Sequence, residues 1–463
     1  MLDKGLLQKL LNKTLSNGGE YADVFVEHRR QTSIVLEDGK IEKVITGAEA
    51  GAGVRLIYKN RTAYAFTNDL SEQALMQAAY EVSKAASGSV LAPLLDLSVK
   101  KPAVTFDIRL LPSTIPVDEK TGIVRKSDHA ARRADKRIRQ VTAIYRDSMQ
   151  KVQIATSEGF MAEDDRVYTT AVVQVVAADV GIIQTGYETL GGLAGFEIFD
   201  ETGMEELGIR AATRAAAMLT ARKAPGGRMP VVISSNAGGT LIHEAIGHGL
   251  EADLAQQGLS VYSKKVGEAV ASSIINVVDD PTLPQRRGSY SFDDEGMASR
   301  RTILVEGGVL KGYLYDRLTA LEDGVESTGN GRRESYQDKP IPRMSNTMVL
   351  PGKMKPEEIV HSVEKGLFVK KMGGGQVNTV NGDFIFEVNE GYLIEKGSIG
   401  EPVRGATLIG NGPKVLKDID MVGNDLGFGI GTCGKDGQGV PVADAQPTLR
   451  IPELVVGGQQ EAS

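Results

Sequence analysis

An α+β fold in two parts is predicted by three features of this 463-residue sequence. Strand-like alternation interleaves with helix-spaced segments up to about residue 221, a Gly/Pro cluster follows, and beyond it glycine turns separate short apolar runs. The expected division is a mixed N-terminal α/β unit over 1–224 and a largely β unit over 225–463 that carries a histidine-bearing helix. A chain of this length exceeds one average domain, in keeping with more than one unit.

From the start, residues 2–15 have the spacing of a short amphipathic helix, and 22–27 and 33–36 alternate as strands. Asp38-Gly39-Lys40 is a hairpin turn between strands. After the strand-like run 53–58, residues 71–87 read as a helix with Ser71 as N-cap and Glu72 placing a carboxylate in its first turn. Helices over 117–137 and 205–221 flank a strand-rich stretch, 141–183. The run 223–230, with Pro225, Gly226, Gly227 and Pro230, stops the last helix and marks the junction. Beyond it, Gly307-Gly308, Gly329-Asn330-Gly331, Gly373-Gly374-Gly375 and Gly410-Asn411-Gly412 separate strands such as 302–305 and 391–394.

A net charge of -7 argues against a phosphate-backbone binder, and the basic run 131–139 reads as a solvated helix face. No segment approaches the ~20 apolar residues that cross a bilayer. The N-terminal run is too short and too charged for a secretory signal. The single cysteine, Cys433, permits no intrachain disulfide and suits a reducing compartment, so the expected location is the cytoplasm, with neither nucleic acid nor membrane as partner.

The chemistry concentrates at His243-Glu244-Ala245-Ile246-Gly247-His248, after the strand-like run 231–234 and a small-residue turn in which Asn236 or Thr240 could cap a helix. Two of the chain's five histidines fall within six positions. In the zinc helix HExxH the histidines are four apart and share a face; here they are five apart, which on a regular helix sets them ~140° apart. A widened turn or a helix end, with Gly247 and Gly249 as the permissive residues, would close that angle. Two readings stand: buried core histidines, or a metal pair awaiting a third ligand. Cys433, in the tight Gly431-Thr432-Cys433-Gly434, can supply that ligand. A His, His, Cys set leaves the fourth tetrahedral position open, the mark of a catalytic zinc. Glu244 is then the general base, or else a salt-bridging carboxylate of the helix.

Weaker signals surround this core. Glu251 and Asp253 could orient a ligand imidazole or simply be exposed carboxylates. The acidic run 291–296 reads as a metal loop or an ordinary turn. Arg332 and Arg333 could hold a peptide carboxylate or an oxyanion, or lie in solvent. The run Gly373-Gly374-Gly375-Gln376 lacks a Walker lysine and suits close approach of a substrate backbone, with an edge strand there adding an extended peptide.

The block 241–253 resembles the HExxxH signature of the TldD/PmbA peptidase family, and the likeness continues through 288–296, 329–336, 373–377, 405–410, 421–425 and 433–438. The resemblance implies one zinc per active subunit on His243, His248 and Cys433, with Glu244 as the catalytic glutamate. It also implies hydrolysis of unstructured peptides, and a dimer with a related TldE/PmbA-type subunit lacking the motif, or a homodimer. The alternative is a zinc-binding, non-proteolytic maturation or regulatory factor.

Overall fold

Asp38 and Gly39 adopt positive φ angles of 47° and 78° and turn the chain tightly between β1 (Tyr21–Glu37) and β2 (Lys40–Tyr58). The computed structural model describes residues 1–88 and 96–458. β3 (Arg61–Thr67), β4 (Ser98–Val99), β5 (Ile138–Thr156), β6 (Phe160–Asp179) and β7 (Ile182–Leu193) complete a seven-stranded sheet of order β3-β2-β1-β5-β6-β4, with β7 also on β6. Apart from the parallel β4–β6 pair it is antiparallel. The short runs read from the sequence are parts of strands up to 20 residues long.

Among the described residues four α-helices cover this sheet. α1 (Lys4–Thr14) is capped by Asp3, and α2 (Glu72–Ser83) by Ser71, whose side chain accepts from the Ala74 N–H. Leu7, Leu10, Leu11, Leu75 and Val82 from this pair join Val24, Val54 and Leu56 in one core cluster. α3 (Val117–Ala134) and α4 (Met204–Thr220) pack on each other and on β5, β6 and β7 over a second cluster. α3 ends three residues before the predicted 137, because Asp135 turns extended and accepts from both the backbone and the guanidinium of Arg137.

From Arg222 onward the strands belong to other sheets. β8 (Arg222–Lys223), β9 (Gly227–Ile233), β10 (Val277–Asp279), β11 (Thr302–Glu306) and β12 (Val309–Leu310) come first, then the small pair β13 (Gly331–Arg332) and β14 (Ile341–Pro342). β15 (Asn346–Val349), β16 (Lys365–Val377), β17 (Asp383–Glu395), β18 (Ser398–Arg404), β19 (Thr407–Asn411), β20 (Met421–Val422), β21 (Gly427–Lys435), β22 (Gln438–Gln446) and β23 (Leu449–Gly457) follow. β16-β9-β23-β19-β17 closes on itself through a β16–β17 pairing, and a six-stranded sheet β12-β11-β10-β15-β22-β21 lies beside it. Their apolar faces share the largest core, which holds Ile233, Ile242, Ile246 and Cys433. The fold is α+β.

Buried ion pairs join the two halves. Arg55, fully buried, reaches Asp23 at 2.5 Å and Glu295 at 2.6 Å, and Arg166 bridges Asp164 and Asp294. Tyr336 lies against Gly51, where a Cβ would come within 2.2 Å of its ring. The acidic run 291–296 is thus an interface turn: Asp293 accepts from the backbone N–H groups of Glu295, Met297 and Gly331.

Candidate metal centre

β9 runs through the core between β16 and β23 and delivers the chain to residues 234–239. There Gly238 takes a φ of 73°, and Gly239 donates its N–H to Asp444 Oδ1 at 3.1 Å. A Cβ on Gly239 would sit 2.3 Å from the Ala445 nitrogen, so only glycine lets the chain pass β22 this closely. One helical turn, Thr240–Ile242, then widens into a π-helical turn, His243–Gly247, and tightens into a 3-10 turn, His248–Leu250.

The widening solves the spacing problem. The His248 N–H bonds to the His243 carbonyl, and in an i→i+5 turn residues five apart stack on one face. The two imidazole rings lie 4.9 Å apart at 89°. Gly247 has an ordinary helical φ of -55°, so the predicted conformational freedom is not what the position uses. It needs the absence of a side chain: a Cβ there would meet Met344 Sδ at 2.2 Å, and one on Gly249 would meet the Tyr262 ring at 2.7 Å. Tyr262 also pins the turn by donating its hydroxyl to the Ala245 carbonyl at 2.9 Å.

Cys433, on β21, completes the group. Its Sγ lies 3.4 Å from His248 Nε2, and the donor atoms of His243, His248 and Cys433 all fall within 4.8 Å of one another. It is the one such group of three metal-ligating side chains among the described residues. Tetrahedral zinc with sulfur and nitrogen ligands needs donors about 3.3–3.8 Å apart, so the set suits that ion after small adjustments. A second sign of fit is His243 Nδ1, a buried ring nitrogen with no hydrogen-bond partner.

Electrostatics prepare the donors. Burial would raise the Cys433 thiol, but hydrogen bonds and charge from His243 and His248 hold it at about 5. Burial would lower His248, yet the Glu251 carboxylate and Cys433 push it well above its usual range. Glu251 itself, against the cost of burial, is held at about 2 by His248 and Lys435.

Glu251 is fully buried and accepts from His248 Nδ1 at 3.0 Å, leaving Nε2 to face the thiolate. Lys435 reaches Glu251 at 3.2 Å and Asp253 at 2.7 Å, and Arg343 donates to the Cys433 carbonyl. Of the two carboxylates weighed in the sequence, then, Glu251 holds the ligand and Asp253 holds Lys435. Arg343, Lys435 and Asp444 carried no signal of their own; only contacts distant in sequence bring them here. Glu244 is half-buried in the π turn, and among the described residues its carboxylate has no hydrogen-bond partner.

The other predicted residues are placed as follows. Gly373, Gly374, Gly375 and Gln376 form the end of β16, with Gly375 and Gln376 opposite Phe386 and Ile385. The β9 partner stops at Val369, so beyond it the other edge of β16 is free among the described residues. β16 packs on the His243–Gly247 turn. Arg332 and Arg333 are not solvated turn residues. Arg332 donates to the Met344 and Pro441 carbonyls at 2.6 and 2.7 Å, and Arg333 to the Asp294 carbonyl and the Tyr64 hydroxyl.

Comparison with known proteins identifies the family. Residues 22–86 match a family described as PmbA/TldA metallopeptidase domain 1, 110–219 its central domain and 226–458 its C-terminal domain. The metalloprotease TldD homolog of Haemophilus influenzae is 38% identical over 95% of this chain and 93% of its own length. A metalloprotease of Methanothermobacter thermautotrophicus is 38% identical over 95% and 96%. The crystal structure of TldE from Thermococcus kodakarensis shares the fold, with a TM-score of 0.78 at 18% identity over 98% of this chain and 100% of that one. No helix among the described residues is long and apolar enough to cross a membrane. The chain belongs to the PmbA/TldD family of metallopeptidases.

Proposed function

We propose that this chain is a zinc-dependent peptidase that cleaves unstructured peptides, with one zinc per active subunit on His243, His248 and Cys433 and with Glu244 as general base. The observation that carries the reading is the convergence of two imidazoles and a low-pKa thiol within 4.8 Å, on a set that leaves one tetrahedral position free. When bound, the ion supplies a Lewis acid and a nucleophilic water at neutral pH. Glu244 takes the proton of the attacking water and hands it to the departing amine. Glu251 keeps His248 Nε2 aimed at the site throughout.

An extended substrate fits the free edge of β16, where Gly373, Gly374, Gly375 and Gln376 offer backbone groups with little side-chain obstruction. Arg332 and Arg333 support the wall of the cleft beside the β21–β22 hairpin. The same reading has an N-terminal domain over 1–224 and a metallopeptidase domain over 225–463, the active enzyme in a dimer with a TldE/PmbA-type subunit or with itself, and its site of action in the cytoplasm.

A second reading has one observation in its favour: a thiol at about 5 beside two imidazoles is also the chemistry of a cysteine hydrolase. Cleavage of an unstructured peptide by wild type and Glu244→Gln, with and without chelator, separates the two. Activity that chelator abolishes, zinc restores and Glu244→Gln lacks supports the zinc reading. Activity that persists in chelator supports the thiol, and no cleavage in any condition rejects both.

A further inference from the structure

Across the β21–β22 hairpin from the metal donors, a cleft of about 360 Å³ lies between β1, β5 and β6 on one side and the hairpin with residues 287 and 332–334 on the other. Side chains alternate along a strand, so Thr432 faces away from the side on which Cys433 meets His248. Among the described residues six arginines and three acids line the cleft.

The acids are all engaged within the protein. Asp147 pairs with Lys120 at 2.7 Å, Asp294 with Arg166 at 2.7 Å, and Glu334 accepts from the Gly439 N–H at 2.6 Å. Three of the arginines have carboxylate partners: Arg29 with Glu27, Arg166 with Asp164 and Asp294, and Arg333 with Asp23. Arg146, Arg287 and Arg332 have none within ion-pair distance among the described residues. Arg332 is buried on two carbonyls. Arg287 is held by the Gly431 carbonyl at 3.1 Å and Thr432 Oγ1 at 3.4 Å. Burial lowers the Arg287 pKa, and against the opposite pull of Tyr168 the charges of Arg146 and Arg332 lower it further; all three guanidinium side chains line the one cleft.

Uncompensated guanidinium groups at the wall of a partly enclosed cavity favour a planar anion that accepts two parallel N–H bonds. The volume suits a few residues of peptide, and Gln31, Ser33 and Thr170 supply neutral hydrogen-bonding groups along the same wall. We propose that this cleft is a carboxylate-binding site, separate from the metal centre, that takes the free C-terminal carboxylate of a peptide on Arg146, Arg287 and Arg332. The source of that peptide rests on the peptidase reading, but the test reads binding and not turnover.

Equilibrium dialysis of a radiolabelled, N-acetylated Gly/Ser octapeptide against Glu244→Gln protein compares the free acid with the carboxamide. The acid is expected to bind about tenfold tighter, the worth of one charge-assisted contact. Arg287→Gln and Arg146→Gln each remove most of that preference, while Arg287→Lys keeps part of it. Arg146 is exposed, so its variant carries the test if Arg287→Gln fails to fold. Equal binding of acid and amide, or a preference that survives both glutamine variants, overturns the proposal. So does arginine-dependent binding of millimolar inorganic phosphate without any preference for the acid, which assigns the cleft to free phosphate. An arginine-dependent acid preference in a protein whose wild type cleaves nothing supports the site while counting against the peptidase reading.

Discussion

Glu251 accepts a hydrogen bond from His248 Nδ1 at 3.0 Å, and that contact turns the other ring nitrogen toward Cys433 Sγ, 3.4 Å away. Glu251→Gln removes the charge that balances His248 and Lys435. Zinc affinity is expected to fall on the order of 10–100-fold, measured by competition with a chromophoric chelator. An affinity equal to wild type would show that the contact does not orient the ligand.

The same contact sets a pH dependence. Against the effect of burial, Glu251 and Cys433 raise His248 above its ordinary 6.5. In the metal-free protein the stability this group contributes is fully present below 6.5 and is lost as pH rises through the raised value. Zinc requires the deprotonated ring, so its affinity climbs over that same window. The Cys433 thiol, at about 5, is already ionised there and adds little slope. The gap between the melting temperatures of zinc-loaded and metal-free protein should therefore widen as pH rises above 6.5. A constant gap contradicts this.

Gly239→Ala places a Cβ 2.3 Å from a backbone nitrogen of β22, an atom that cannot rotate away. We expect a loss of about 1–3 kcal/mol in urea unfolding, together with weakened zinc binding, because the displaced turn carries His243. Gly312→Ala, in a loop where a Cβ meets nothing within 4 Å, is the control and should weaken neither.

Arg55→Ala removes the guanidinium that bridges Asp23 and Glu295 in the buried contact between the halves, leaving Asp23 with Arg333 at 3.5 Å and Glu295 with the Arg317 N–H. Unfolding free energy should drop by about 3–5 kcal/mol, and adding Asp23→Asn with Glu295→Gln should recover part of it. A surface-like loss below about 1 kcal/mol would show that the pair does not hold the halves together.

Much of this was legible in the sequence where the signal is local. Ser71 as a cap, the Asp38-Gly39 turn, and the helices near 117–134 and 204–220 follow from short-range chemistry. His243 and His248 stood out by rarity, and Cys433 by being the only thiol. A widened turn or a helix end was expected between the histidines and the π turn is the first of these, but its glycines were explained by backbone freedom when packing against Met344 and Tyr262 is the cause. Strand length escaped because half-buried strands broken by charged residues look short; β1 continues through Glu27, His28, Arg29 and Arg30. The partners of Arg332, Arg333 and Arg343 lie up to about 310 residues away, as Arg333 and Asp23 do, and no spacing rule reaches that far.

The most direct test of the central claim is the zinc content of wild type and Cys433→Ala, each reconstituted with zinc, desalted and measured by native mass spectrometry. One zinc per wild-type chain and a large loss in Cys433→Ala are expected, with Glu244→Gln retaining the ion. Wild type that keeps no zinc, or Cys433→Ala that keeps a full equivalent, would contradict that claim.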